Sequence, residues 1–274
     1  MASASASLYF WHGQGLYVGA GQFSTRHRHY ATQIGISLDE HPIRIRAHAA
    51  AAYTPVYGFI APPNVPHQVD SAGVCAAFLW TESEQVSARI MHGRAETDAP
   101  LPLTAERLQG VIPRLAPLAA QAVGCDEANE AFAAIVQAVG LKDTASPALD
   151  PRILLVLRSI RQDQFAGDPR PIPRIAEAVH LSASRLRHLF RRQLGLPLQR
   201  YLLWQRLLRA LEFAAATGAS LTHAAHAAGF ADSAHLAREF RATFGLKPSD
   251  IWKHQLSIRV IPCLDPAARH RTGN

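Results

Sequence analysis

Hydrophobic residues follow two periods along this chain, and the period changes near residue 100. In Ala31-Thr-Gln-Ile-Gly-Ile-Ser-Leu38 apolar and polar residues alternate, Ile43–Arg46 does so more briefly, and Val74–Trp80 is an apolar run of the buried-strand type. Gly and Pro break the stretch Leu8–Trp80 into short pieces, which predicts a small β-barrel or jelly roll. Between 104 and 139 the spacing becomes helical. Leu108, Ile112, Leu115 and Leu118, then Phe132, Ile135, Val136 and Val139, fit helix faces interrupted near Pro113, Pro117 and Gly124. Residues 142–151 read as a linker, and Arg152 to about Gln255 as helices joined by short turns. The first seven residues read as a disordered tail, and the segment after Ile258 as loosely held. The fold class expected is α+β in two domains. A β-barrel or jelly roll with following helices occupies 8–141, and an all-α domain occupies 152–257.

Within the helical half one pattern occurs twice. Leu186, Phe190, Arg191 and Gly195 are in register with Leu236, Phe240, Arg241 and Gly245, fifty residues further on. In the first copy Arg174–Val179 makes a short helix and His180-Leu181 a turn where Gly is usual, because the backbone there takes positive φ. Ser182 caps the next helix, which turns Leu186, Leu189, Phe190 and Leu194 inward and Ser184, Arg187, His188 and Arg191 outward. In the second copy Thr222–Ala228 is the short helix, Gly229-Phe230 the turn and Asp232 the cap. Leu236, Phe240 and Phe244 face inward there, and Ser233, Ala234, Ala237, Arg238 and Arg241 outward. Between the copies, Leu198–Ala216 predicts one amphipathic helix of about 18 residues, roughly 27 Å. One turn of B-DNA is about 34 Å, so such a spacer suits two reading helices in successive major grooves.

Charge supports this reading. Residues 1–150 hold 9 Lys+Arg against 13 Asp+Glu, and residues 151–274 hold 19 against 8. Nearly all the basic residues of the second half are Arg, which forks onto phosphates and guanine edges. Three cysteines without metal-ligand spacing argue against a disulfide framework and for a cytoplasmic protein. No apolar run approaches the length of a membrane span, and no signal peptide is evident, so no membrane partner is expected.

Residues 152–254 resemble the DNA-binding domain of the AraC/XylS family of bacterial transcription regulators. The resemblance rests on Ile175-Ala176, Leu181-Ser182, Ser184-Arg185-Leu186, Leu189-Phe190-Arg191, Gly195, Tyr201 and Arg206-Leu207. It continues through Ala225, Gly229-Phe230, Leu236, Arg238, Phe240, Phe244-Gly245, Pro248 and Trp252. It implies double-stranded DNA as partner and base-reading positions at Ser184, Arg187 and His188 and at Ser233, Ala234, Ala237 and Arg238. Arg191 and Arg241, near the ends of the reading helices, suit phosphates. Small residues at 234 and 237 imply loose readout by the second motif, or thymine-methyl contacts. His180 and Lys247 depart from the family's usual Gly and Ser. The resemblance also implies a homodimer, formed through the 104–139 helices, and RNA polymerase as a partner of an activator.

The strand-rich half resembles the cupin-like sensor domains fused to such regulators. Gly21, His27-Arg-His29 and Gln33 are similar to the first cupin motif, with Gln for the usual Glu; Pro62-Pro-Asn64-Val-Pro-His67 is similar to the second, with Asn for its turn Gly. The resemblance implies that His27, His29, Gln33 and His67 converge, either on a divalent transition metal or around a small organic effector. Two histidines at i and i+2 share one face of a strand. An exposed basic turn at 26–29 and a merely hydrogen-bonded His67 are the plainer alternatives. No nucleophilic triad or phosphate loop is present. The function expected is therefore a ligand-controlled DNA-binding regulator and not an enzyme. The alternatives are a metal-dependent cupin enzyme fused to a DNA-binding domain, and a helical domain that binds a protein partner.

Overall fold

The computed structural model describes residues 6–11, 14–48, 51–82, 99–121, 123–140, 149–165, 168, 170–249 and 258–263. The chain forms two compact units. One comprises Met1–Asp143 with Phe240–Asn274, the other Thr144–Glu239.

The first unit is built in three layers. A seven-stranded sheet has the order β10-β1-β2-β8-β3-β6-β9, and a three-stranded sheet the order β5-β4-β7. Their strands are β1 (Ala6–Trp11), β2 (Gln14–Ala20), β3 (Thr32–Ser37), β4 (Ile43–Arg46), β5 (Thr54–Val56), β6 (Gly58–Ala61), β7 (Gln68–Asp70), β8 (Cys75–Thr81), β9 (Leu101–Pro102) and β10 (Ile258–Pro262). Alternation along the strands supplies both faces of the larger sheet. Ile34, Ile36, Ala77 and Leu79 meet helices α1 (Ala105–Leu108), α2 (Ile112–Ala120) and α3 (Cys125–Ala138), through Leu108, Leu115, Leu118, Phe132 and Ile135. Phe59, Ala61, Ala76 and Phe78 meet Ile43, Ile45, Val56 and Val69 of the smaller sheet. A side chain at Gly35 would strike the Phe59 ring, so this glycine makes room for the aromatic centre of the barrel.

Three expectations are corrected here. Ala6 and Ser7 are not a tail but the buried start of β1. Residues 259–263 of the segment after Ile258 are not loose, while 264–274 lie outside the described residues: β10 runs parallel to β1, from Ala6↔Ile258 to Phe10↔Pro262, with Cys263 N–H donating to the Phe10 carbonyl at 2.9 Å. Cys125 and Cys263, 138 residues apart, form a disulfide, leaving Cys75 as the free thiol among the described residues. β10 and Cys263 find their partners more than a hundred residues away, beyond the reach of local periodicity.

In the second unit α4 (Pro151–Arg161) starts inside the expected linker. Pro151 takes the first helical position and Asp150 caps it, accepting from the Arg152 N–H at 2.9 Å. Residues 141–148 of that linker lie outside the described residues. Then come α5 (Pro171–Ala178), α6 (Ala183–Leu194), α7 (Leu198–Thr217), α8 (Leu221–Ala227) and α9 (Ser233–Phe244), the last crossing the division at 239/240. α7 has 20 residues, about 30 Å. It buries Leu198, Tyr201, Trp204, Leu207 and Ala210, and Tyr201 meets Phe190 of α6 with ring centroids 5.5 Å apart. Among the described residues no helix is long and apolar enough to cross a membrane.

Candidate nucleic-acid interface and histidine cluster

The two repeated motifs close their first helices with the same turn. At the end of α5, Leu181 N–H donates to the Ala176 carbonyl (2.9 Å) and His180 N–H to that of Glu177 (3.0 Å). After α8, Phe230 N–H donates to Ala225 (2.9 Å) and Gly229 N–H to His226 (3.0 Å). Each is a Schellman pair that needs a left-handed residue at its centre. Gly229 supplies it at φ 76°, and His180 at φ 54°, so the departure from Gly leaves the turn intact. Ser182 Oγ accepts from the Arg185 N–H at 3.3 Å and Asp232 Oδ1 from the His235 N–H at 2.6 Å, which start α6 and α9. Leu186, Leu189, Phe190 and Leu194 are buried on α6, and Leu236 and Phe240 on α9. Phe244 is half-buried against Phe240, centroids 4.6 Å apart.

The opposite faces are open. Ser184, Arg187, His188 and Arg191 are exposed on α6. On α9 Ala234, Arg238 and Arg241 are exposed, with Ser233 and Ala237 half-buried. Arg185 and Arg192 enlarge the exposed basic face of α6; the helical period alone was enough to show both. The two copies differ at their C-termini. Gly195 and Gly245 both end their helices in the left-handed region, at φ 74° and 71°, but Gly195 is exposed and Gly245 buried. The Gly245 carbonyl accepts from Thr25 N–H (2.8 Å) and Thr25 Oγ1 (3.0 Å), and the Ala242 carbonyl from Arg28 N–H (3.4 Å). Carbonyls at the end of α9 are thus capped by the segment that carries His27.

That segment contributes to a buried cluster. His27 and His67 face each other across a backbone bridge, each N–H donating to the other's carbonyl at 2.9 Å. His29 lies two residues before β3, and Gln33 is the second residue of that strand. Asn64, at φ 62°, takes the turn where the motif usually has Gly, and its N–H donates to the His29 carbonyl (2.8 Å). Gly21 lies against Ser71, where any side chain would collide with it. The ring centroids of His27, His29 and His67 are 4.4–5.6 Å apart, and one nitrogen of each ring lies within 4.8 Å of the others. The four expected residues therefore do come together, and His27, His29, Gln33 and His67 are all buried. The plainer alternative of an exposed turn does not hold for His27 and His29.

The hydrogen bonds fix the protonation of the rings. Nδ1 of His27, His29 and His67 lies 2.7–2.8 Å from the carbonyls of Thr25, Ala31 and Val65. A carbonyl can only accept, so each Nδ1 carries the proton and each Nε2 offers a lone pair. Burial keeps the rings neutral: it holds His27 down at about 3, helped by the neighbouring His29. It lowers His29 against the pull of Gln33 and Ala31, and takes His67 well below the usual range, with His27 and His29 adding to the shift. Gln33 Oε1 lies 2.8 Å from His29 Nε2 and 2.9 Å from His67 Nε2, which sets acceptor against acceptor. Two arrangements relieve this. The carboxamide turned end for end gives one N–H to each ring, or a cation sits among the lone pairs. Histidines that coordinate a metal through Nε2 and anchor Nδ1–H on a carbonyl make the common second-layer arrangement of such sites. The residues thus fit a divalent transition metal, with three neutral imidazoles and one neutral oxygen as donors.

One unit carries a pair of helix-turn-helix motifs on a helical spacer, and the other is a barrel with a histidine cluster. Residues 175–254 match a family model described as a helix-turn-helix domain. The helical segment is similar in sequence to curated transcription regulators. It is 38% identical over 90 residues to the HTH-type transcriptional activator RhaS of Escherichia coli (strain SE11), covering 33% of this chain and 32% of RhaS. It is 30% identical over 110 residues to the arabinose operon regulatory protein of Escherichia coli (strain K12), covering 40% and 37%. The chain therefore spans about a third of the length of these relatives. Apo ToxT from Vibrio cholerae has the same overall fold, with a TM-score of 0.55, 10% identity and coverage of 88% of this chain and 96% of that one. ToxT bound to (E)-4-(8-methylnaphthalen-1-yl)but-3-enoic acid superposes with a TM-score of 0.52, again at 10% identity, over 88% and 97%.

Proposed function

We propose that this chain is a sequence-specific transcriptional regulator of the AraC type. On this reading residues 152–257 bind double-stranded DNA, and residues 8–141 form a ligand-sensing and dimerising barrel. The observation that carries it is the duplicated motif: two identically closed turns, each leading to a helix with one buried apolar stripe and one open stripe. Ser184, Arg187 and His188 read bases for the first motif, and Ser233, Ala234, Ala237 and Arg238 for the second. Arg191 and Arg241 hold phosphates. RhaS is named an activator, and this chain likewise activates, as a homodimer in contact with RNA polymerase. The enzyme alternative gains no support from these relatives, which are named as regulators. The test is a selection of random duplexes with the full-length protein, followed by affinity against salt. A consensus with two short blocks about one helical turn apart is expected, with affinity falling steeply as salt rises. Recovery of no consensus would overturn the assignment.

The small ligand of the barrel is a divalent transition metal held by His27, His29, His67 and Gln33. Bound there, it would supply a positive charge that links four side chains; the neutral Gln33 makes the hold weaker than a carboxylate would. Chelator-stripped protein is expected to take up about one equivalent of Zn²⁺ or Ni²⁺ in calorimetry, and His29→Ala to take up none while keeping its DNA consensus. ToxT binds an organic acid, and uptake of such an acid with no uptake of metal would replace the metal reading and leave the regulator reading standing.

A further inference from the structure

Cys125 and Cys263 belong to neither the DNA-reading faces nor the histidine cluster. Cys125 is the first residue of α3, and Cys263 directly follows β10. β10 is an edge strand, five residues long and, among the described residues, paired with β1 alone. Its own packing is slight: Ile258, Val260 and Ile261 are half-buried and Arg259 is exposed, whereas Cys263 is 8% exposed. A short parallel ladder on one side is a weak hold. Without the disulfide β10 must also return across a loop of well over a hundred residues, which adds the entropy of closing it. The sulfur bridge to α3 is thus a covalent anchor of β10, and the loop it closes contains the whole unit Thr144–Glu239.

We propose that Cys125 and Cys263 form a thiol–disulfide switch that fastens β10 to the barrel when oxidised and releases it when reduced. The oxidant is a hydroperoxide. One thiolate attacks its terminal oxygen to give a sulfenic acid and release water or an alcohol. The second thiol then displaces the sulfenic oxygen as water, forming the S–S bond. Reduction by a small dithiol runs through a mixed disulfide, returns two thiols and leaves the dithiol oxidised. Cys75 stays outside the couple. Burial and the nearby Asp39 push its thiol up, which keeps it protonated and slow to react.

The experiment compares full-length protein after hydrogen peroxide and after dithiothreitol, both under native conditions. Alkylation with mass readout is expected to find one free thiol, Cys75, in the oxidised form, and all three cysteines free in the reduced form. Amide exchange over 258–262 and Ala6–Trp11 is expected to be about tenfold faster or more once the bond is reduced. Cys125→Ser should show the fast exchange in both conditions, and Cys75→Ser the full switch. Equal exchange in the two states, a bond that native protein does not yield to dithiothreitol, or no bond after peroxide would each overturn the proposal.

Discussion

The two helix-turn-helix motifs share a local plan and differ in their surroundings. α6 ends on an exposed glycine, and its reading face is dense in Arg and His. α9 ends on a buried glycine, and its reading face is mostly small residues. The same ten-residue pattern therefore yields one helix that packs Phe190 on Tyr201 of α7 and another whose last turn accepts hydrogen bonds from Thr25 and Arg28. Local sequence sets the helix, its cap and its buried stripe. What the end of the helix touches is set elsewhere in the chain.

The sharpest way to break this comparison is at the two glycines. Gly195→Ala forces a side chain onto a left-handed backbone at φ 74°, at a cost of about 1–2 kcal/mol. Gly245→Ala meets the same backbone cost, and its new methyl would lie 2.5 Å from His27 Nδ1 and 2.6 Å from the Thr25 carbonyl. We expect a loss of about 3 kcal/mol or more in denaturant unfolding, with faster exchange at Thr25 and Arg28. Equal losses at the two positions would show that the segment 24–28 gives way freely.

Acid should act on one side of the comparison. His27 ionises at about 3 when folded and at about 6.5 when unfolded. Both states are neutral above 6.5. Below it the unfolded chain binds a proton that the folded one refuses, so stability falls as pH drops from 6.5 towards 3. For metal-free protein the slope is about 1.4 kcal/mol per pH unit from this one ring. Pairing of residues 24–29 should weaken before α5 and α6 do. Residue-resolved exchange at pH 5 and 7 reads this directly, and uniform loosening of both units would count against it.

On DNA the asymmetry should reverse. Arg187→Ala is expected to lower affinity about 10- to 100-fold and to relax the selected consensus at one or two base pairs, as loss of a bidentate guanine contact does. Arg238→Ala, flanked by Ala234 and Ala237, should cost less. An unchanged consensus for the Arg187 variant would remove it from base reading. The smallest effect is at the first turn, where His180→Gly should raise stability by about 0.5–1 kcal/mol in thermal unfolding, since Gly takes positive φ freely.

The helical half was largely legible because its signals are local. The 3.6-residue period, Ser182, Asp232 and Gly229 each act within one turn of their own position, and the structure places α5, α6, α8 and α9 within a few residues of the expected bounds. The four residues of the histidine cluster were legible through motif spacing. That their Nδ1 atoms all rest on carbonyls two residues away, and so aim their lone pairs at one place, was not, because it depends on rotamers set by the fold. The capping of α9 by Thr25 and Arg28, the pairing of β10 with β1 and the Cys125–Cys263 bond were also hidden. Each joins residues more than a hundred positions apart, and neither Thr25 nor Cys263 has a neighbour that marks it. Two serine-like signals at 24–25 and an odd cysteine count gave no direction.

The parallel pairing of the first described strand with the last has a practical consequence for dissecting the protein. A cut near residue 143 does not yield two self-sufficient halves. The front piece would keep β1 but lose β10, leaving a row of unpaired N–H and C=O groups of the kind that recruits foreign strands and precipitates. The rear piece would carry a five-residue orphan strand and an unmatched thiol. An excision of 144–239, closed by a flexible Gly/Ser linker, keeps β1, β10 and both cysteines of the disulfide in one polypeptide, and is the division along which the barrel can be studied alone.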